Sequence, residues 1–252
     1  MPILNHGGKT FSQNNKTLTT PWKPSKINGL IFWGDSNPIN ISANSNRIST
    51  WLDSSGKMNN GIQTTSSKKP YYIKDVINGH SAILFQNINN LSIKININVF
   101  TIFTVIKSIN NNYVYEFGSS TENTTGFYLN GNTNAMAVSV SGISNCTIKK
   151  QNVNWLSSGS TEWKIITHQY NGTHSSHNLF INSNMIFLPT YLNYNNNPGE
   201  INKMSNLILG SKGDDTFGLN AYITEYLIFD TYLEYEDILK INNYLNNKYS
   251  IY

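Results

Sequence analysis

Phe100-Thr-Ile-Phe-Thr-Val-Ile106 is the stretch that decides the fold. Every position in it is β-branched or aromatic, a composition that suits a pleated, half-buried surface and is stiff at χ1 in a helix. Ala221-Tyr-Ile-Thr-Glu-Tyr-Leu-Ile-Phe229 has nearly the same character. Working outward, shorter runs of this kind recur: Leu30-Ile-Phe-Trp33 between Gly29 and Gly34, and Ser81-Ala-Ile-Leu-Phe85 after the turn Asn78-Gly79. Tyr113-Val-Tyr-Glu-Phe117, Gly126-Phe-Tyr-Leu129 and Ala135-Met-Ala-Val-Ser-Val140 follow, then Trp163-Lys-Ile-Ile-Thr-His-Gln-Tyr170, Asn178-Leu-Phe-Ile181 and Asn206-Leu-Ile-Leu209. Short strands punctuated by Asn, Gly and Ser predict an antiparallel sandwich or barrel, not a parallel α/β sheet. Asn171-Gly172 reads as a connecting turn, although the reach to Asn178 is too long for a two-residue hairpin.

One helix is predicted, at the C-terminus. Leu233, Ile238, Ile241, Tyr244 and Leu245 recur mostly at spacings of three or four. Glu234, Glu236 and Asp237 crowd its start and Lys248 its end, which complements the helix dipole. Before Ile27 there is no apolar period: residues 1–25 read as an extended polar arm and 26–252 as one domain. The arm closes with Pro21-Trp-Lys-Pro24, prolines that favour extended backbone, and Trp22 is its candidate anchor on a neighbouring molecule.

Composition excludes several classes. Charged residues make up 13% of the 252 positions, against about 25% in ordinary proteins. The net charge of +4 and 38% hydrophobic content are not those of a disordered chain. The densest basic spots are Lys68-Lys69 and Lys149-Lys150, so no nucleic-acid partner is expected. No stretch approaches the roughly 18 apolar residues of a membrane helix, so no membrane insertion is expected, and residues 1–9 lack the apolar core of a secretory signal. Cys146 is the single cysteine, which excludes an intrachain disulfide and a multi-thiolate zinc site. Asparagine is the outlier, at 41 residues, about one in six. We read it first as a codon bias and second as turn chemistry, because Asn tolerates the left-handed region.

In order and content the chain resembles the concanavalin A-like lectin/glucanase superfamily, in its laminin-G-like or pentraxin-like branch. Gly29-Leu-Ile-Phe-Trp33 resembles the first strand, and Trp51-Leu-Asp-Ser-Ser-Gly56 with Asn59-Asn-Gly61 resembles the W-x-D-x-S-G-x-x-N segment. Asn178-Leu-Phe-Ile-Asn182 resembles the strand written L-Y-V-N-G, with Ser183 in place of the glycine. Leu209-Gly210, Phe217-Gly218, Ile223 to Asp230 and Leu233 to Tyr249 resemble the closing strand and helix. The resemblance implies an all-β fold: an antiparallel jelly-roll β-sandwich with one short C-terminal helix.

The available chemistry is that of binding. Glycoside hydrolysis needs two facing carboxylates. The glucanase pattern E-x-D-x-x-E is absent, and the odd spacing of Glu225 and Asp230 places them on opposite strand faces. We therefore expect no enzyme activity. His174-Ser-Ser-His177 reads as two solvated loop histidines. No motif requires a cofactor; calcium is the metal that two loops suit, Asp53 with Ser55, Asn59 and Asn60, and Asp214-Asp215. The alternative for Asp53, which we favour, is that it satisfies backbone amides in a tight turn. For sugar contact, an exposed ring beside an amide is wanted. Trp155, and Tyr191, Tyr194 and Asn195, are the candidates in polar loops, while Trp33, Trp51 and Trp163 read as core.

By analogy from that fold and composition, the first expectation is a virion structural surface protein: a capsid decoration, head fibre or tail component. It would be assembled in the host cytoplasm as part of a larger assembly, attached to other virion proteins, with or without binding of host-surface glycans. The alternatives are a free carbohydrate-binding lectin and a degenerate glycoside hydrolase.

Overall fold

A computed structural model of the chain describes residues 21–110, 113–117, 125–130, 135–139, 147–150, 162–172, 177–186, 204–212 and 218–252. Among these residues the chain runs through 17 strands and one α-helix. The first half holds β1 (Leu30–Asp35), β2 (Ile41–Asn44), β3 (Arg47–Trp51), β4 (Gly61–Ile62), β5 (Tyr71–Ile77), β6 (His80–Phe85), β7 (Leu91–Ile97), β8 (Phe100–Asn110) and β9 (Tyr113–Phe117). The second holds β10 (Thr125–Asn130), β11 (Ala135–Ser139), β12 (Thr147–Lys150), β13 (Lys164–Tyr170), β14 (His177–Ile181), β15 (Asn184–Ile186), β16 (Met204–Leu209), β17 (Asn220–Phe229) and α1 (Tyr235–Tyr249).

All described pairings are antiparallel, and they make a β-sandwich. One layer runs β1, β17, β8, β13, β14, β15. The other runs β2, β3, β4, β7, β16, β9, β10, β11, β12. The β5–β6 hairpin links them, because β6 also pairs with the start of β17.

The two decisive stretches lie side by side as β8 and β17 and are buried on both faces, which is why they read as continuous apolar runs. One face enters the inter-sheet core, with Phe100, Ile102, Ile106, Ala221, Ile223, Tyr226 and Ile228. The opposite face, carrying Phe103, Val105, Leu227 and Phe229, is roofed by α1 through Ile238, Ile241, Leu245 and Tyr249. A bulge between Ile223 and Glu225 shifts the phase of β17 by one residue, and that shift sends Glu225 to the helix side with Leu227. Leu233 lies before the helix rather than in it, but is buried in the same cluster.

The asparagines do local work. Three two-residue hairpins have both central residues at positive φ: Ser45-Asn46 (48° and 65°), Asn78-Gly79 (45° and 79°) and Asn182-Ser183 (49° and 69°). That is the type I′ geometry, whose twist matches the flanking strands. Trp51 is fully buried, edge-on to Phe32 at 6.0 Å, and its Nε1 donates to Asp35 O at 2.7 Å. Gly34 makes room for it, since a Cβ there would sit 2.6 Å from the indole.

Candidate functional site

The last turn of α1 is pinned to the sheet by one buried carboxylate. Glu225 Oε1 accepts from Trp33 Nε1 at 2.7 Å; Oε2 accepts from Tyr249 OH at 2.6 Å and from Lys248 Nζ at 2.7 Å. Lys248 Nζ also lies 3.6 Å from Asp35 Oδ2. Burial, and then the negative charge of Glu225, push the Tyr249 and Tyr244 hydroxyls up from the ordinary tyrosine range. Surrounded by donors, with no exposed surface, Glu225 is a structural pin. The β5–β6 turn is tied to the same place, with Asn78 Nδ2 donating to Tyr249 O at 2.5 Å.

Beside this junction lies a depression of about 580 Å³. It is walled by Trp163 and Tyr252, with Asn78, Asn182, Lys107 and Ser250 around it. Five separate parts of the chain meet here: the β5–β6 turn, β8 through Lys107, the residues entering β13, the β14–β15 turn, and the tail after α1. Each is held. Asn182 Oδ1 accepts from Ile165 N and Asn182 N donates to Ile165 O, both at 2.9 Å, which fixes the β14–β15 turn against β13. Tyr252 OH lies 2.8 Å from Ser183 Oγ. Glu162, on the rim, pairs with Lys164 at 2.5 Å, which holds its carboxyl below the usual range. Lys107 has no partner among the described residues.

Trp163 was expected in the core, and the structure corrects this. It precedes β13 instead of lying within it, so its ring is half-buried at the margin of the cluster under α1, tilted against Tyr222 at 6.4 Å, and lines the depression. A half-buried indole beside amides and charged groups suits a ligand with an apolar face and a polar edge, within the size of pockets of about 300–1,000 Å³ that hold small ligands. Asn78-Gly79 is visible in sequence as a turn, whereas Asn182-Ser183 reads as the end of a strand; nothing local shows that both turns meet Trp163.

The other sequence candidates fall elsewhere. Asp53 Oδ1 accepts from Trp33 N at 2.9 Å and Ser55 N at 2.8 Å; Oδ2 accepts from Ser55 Oγ at 2.8 Å and Asn59 N at 3.0 Å. Asn60 Oδ1 accepts from Asp53 N, and Asn59 Nδ2 donates to Ile31 O. Asp53 thus organises its loop through backbone donors, and a cation at these oxygens has to displace them. Among the described residues no group of three or more His, Cys, Asp or Glu side chains is placed to hold a metal. Trp155, Tyr191, Tyr194, Asn195, Asp214, Asp215, Cys146 and His174 lie outside the described residues. Trp22 packs on its own domain, 6.0 Å from the Tyr244 ring of α1, and Pro24 beside it is buried.

His177 was expected in a solvated loop and is instead buried. It opens β14 opposite Tyr170 and stacks on that ring at 4.6 Å; its Nδ1 lies 2.9 Å from His168 Nε2. His168 Nδ1 is in turn hydrogen-bonded to the Tyr115 hydroxyl. The alternation of β13 sends His168, like Tyr170, into the inter-sheet core, and burial pushes its pKa well down.

No known protein-family pattern and no curated protein sequence matches the chain. Solved structures do match its fold. Domain 4 of AbnA, an extracellular arabinanase of Geobacillus stearothermophilus solved in complex with arabinotriose, is 10% identical, with a TM-score of 0.59 over 84% of this chain and 98% of that one. The binding domain of botulinum neurotoxin DC in complex with SialylT is 13% identical, with a TM-score of 0.55 over 88% of this chain and 52% of that one. The receptor-binding domain of botulinum neurotoxin D is 12% identical, again at 0.55, over 88% and 54%. This chain therefore spans about half the length of the neurotoxin binding domains it matches. At such identities the likeness is one of fold: an all-β architecture shared with lectin-like and carbohydrate-binding domains.

Proposed function

We propose that the protein is a glycan-binding module that takes its ligand against Trp163. The observation that carries this reading is the half-buried Trp163 indole lining a polar depression in which Asn78, Asn182, Lys107 and Ser250 converge. An indole stacks on the apolar face of a sugar, and amides and ammonium groups take its hydroxyls. The arabinotriose complex of AbnA domain 4 supports it, as a fold of this type presenting a saccharide. Binding proceeds without hydrolysis. Glu225 is closed off by its donors, and Glu162, paired with Lys164, has no second acid among the residues lining the depression. The virion attachment expected earlier rests on composition and fold analogy, and the Trp163 depression adds nothing to it.

A glycan array probed with the purified protein tests the reading. Binding to a defined set of glycans is expected, lost in Trp163→Ala with the unfolding transition retained, and no reducing sugar is released from bound polymers. An array blank at high protein concentration, or binding indifferent to Trp163→Ala, overturns it.

A further inference from the structure

The Trp163 depression has a neighbour. A second cleft of about 370 Å³, of mixed polar and apolar lining, lies on the other side of the β5–β6 turn. Chain order shows how close the two are. Asn78 and Ser250 line the first; the next residue along, Gly79, and the preceding one, Tyr249, line the second. The wall between them is thus a hairpin turn and a helix end, closed by the Asn78 Nδ2 to Tyr249 O hydrogen bond. Tyr249 is itself held by Glu225, and the turn by its type I′ backbone, so the spacing of the two depressions is set by ordered structure.

The second cleft is rich in uncommitted polar groups. Lys74, Asp75 and His80 all come from the β5–β6 hairpin, and none of the three side chains has a hydrogen bond or ion pair among the described residues. The His80 ring is half-buried, edge-on to Tyr249 at 4.9 Å, which leaves its nitrogens available. Asp35 and Lys248, paired to each other, line the same cleft. An ammonium donor, a carboxylate acceptor and an imidazole able to play either part are the partners that vicinal hydroxyls take. Such groups take the hydroxyl edge of a sugar ring, whereas the Trp163 indole receives one by its face.

We propose that the two depressions are consecutive subsites for one saccharide chain crossing the Asn78-Gly79 turn, so that the protein selects oligosaccharides over monosaccharides and His80 with Asp75 determines the preference for length. This rests on the reading of the Trp163 depression as a sugar site. Linking two contacts on one ligand makes the second intramolecular, and affinity then grows with chain length until both subsites are filled.

The test is calorimetric titration with ladders of one to five sugar units, in arabino-, gluco- and galacto-oligosaccharide series. In the series that binds, affinity is expected to rise about 10-fold or more between one and three units, equivalent to about 1.4 kcal/mol. His80→Ala, and separately Asp75→Asn at an exposed position, remove that rise and leave the short members unchanged, while Trp163→Ala removes binding of every member. Equal affinity along a ladder, still dependent on Trp163, overturns the two-subsite proposal and leaves the glycan reading standing. So does a loss in both His80→Ala and Asp75→Asn that is the same for all lengths. Absence of binding in all three series, together with a blank glycan array, overturns both.

Discussion

Trp33 and Glu225 stand 192 residues apart in sequence and 2.7 Å apart in the fold, indole Nε1 to carboxylate Oε1. The contact joins the first strand to the last, and the other oxygen of Glu225 carries the hydrogen bonds that seat the end of α1. The wall between the two depressions hangs from it, through Tyr249 and the Asn78 turn.

Glu225→Gln keeps the shape and removes the charge. Lys248 then loses its closest partner, and breaking a buried pair costs about 3–5 kcal/mol. The lower end is expected, because the Lys248 side chain is 24% exposed and regains water. Urea unfolding reads this as a lower midpoint at an unchanged slope. An unchanged midpoint would mean that the carboxylate is not the pin described.

The tryptophans are expected to separate. Trp51, with no exposed surface, costs about 3–5 kcal/mol on truncation to Ala. Trp163→Ala removes a half-buried ring and costs clearly less, while abolishing glycan binding. The same denaturation experiment compares the two, and equal losses would return Trp163 to the core.

His168 makes stability depend on pH. Its pKa is lowered first by burial and then by the nearby His177. The unfolded chain therefore takes up this proton first, near the ordinary value of about 6.5. The contribution is full above that pH and falls as pH drops toward the depressed folded value, at up to about 1.4 kcal/mol per pH unit for one group. Melting temperatures measured from pH 8 to pH 5 should fall on the acid side, and less steeply in His168→Phe. Parallel curves would assign the acid limb to other groups.

Ser183 occupies the second left-handed position of the β14–β15 turn, at φ 69°. A side chain in that region costs about 1–2 kcal/mol, which glycine avoids. Ser183→Gly is expected to gain about 0.5–1 kcal/mol, part of the relief being offset by greater freedom of the unfolded chain. Thermal melts decide; a loss would show that the Ser183 Oγ contact with Tyr252 outweighs the backbone term.

Much of the fold was legible because strands and helices leave local marks. β8 and β17 announced themselves by β-branched and aromatic density, and α1 by its three-to-four spacing and charged ends. β7 was passed over, although Leu91-Ser-Ile-Lys-Ile-Asn-Ile97 alternates cleanly and its burial follows that alternation. β3 and β5 are half-exposed strands whose mixed composition resembles loop. Of the site, the Asn78-Gly79 turn is readable, while the turn at Asn182-Ser183 and the meeting of the two are not.

The sequence by itself determined an all-β antiparallel chain, its helix and several of its turns, since each depends on residues within a few positions of one another, and its single cysteine excluded an intrachain disulfide. Only the tertiary structure decided which face of a strand is inside and what it meets there. Periodicity says that a strand has two faces, but in a sandwich roofed by a helix both faces of β8, β13 and β17 are covered, and partners far along the chain choose between them. That choice put Glu225 under the helix after a one-residue bulge, drew His177 into the core against His168, and left Trp163 half-buried at the rim of the depression.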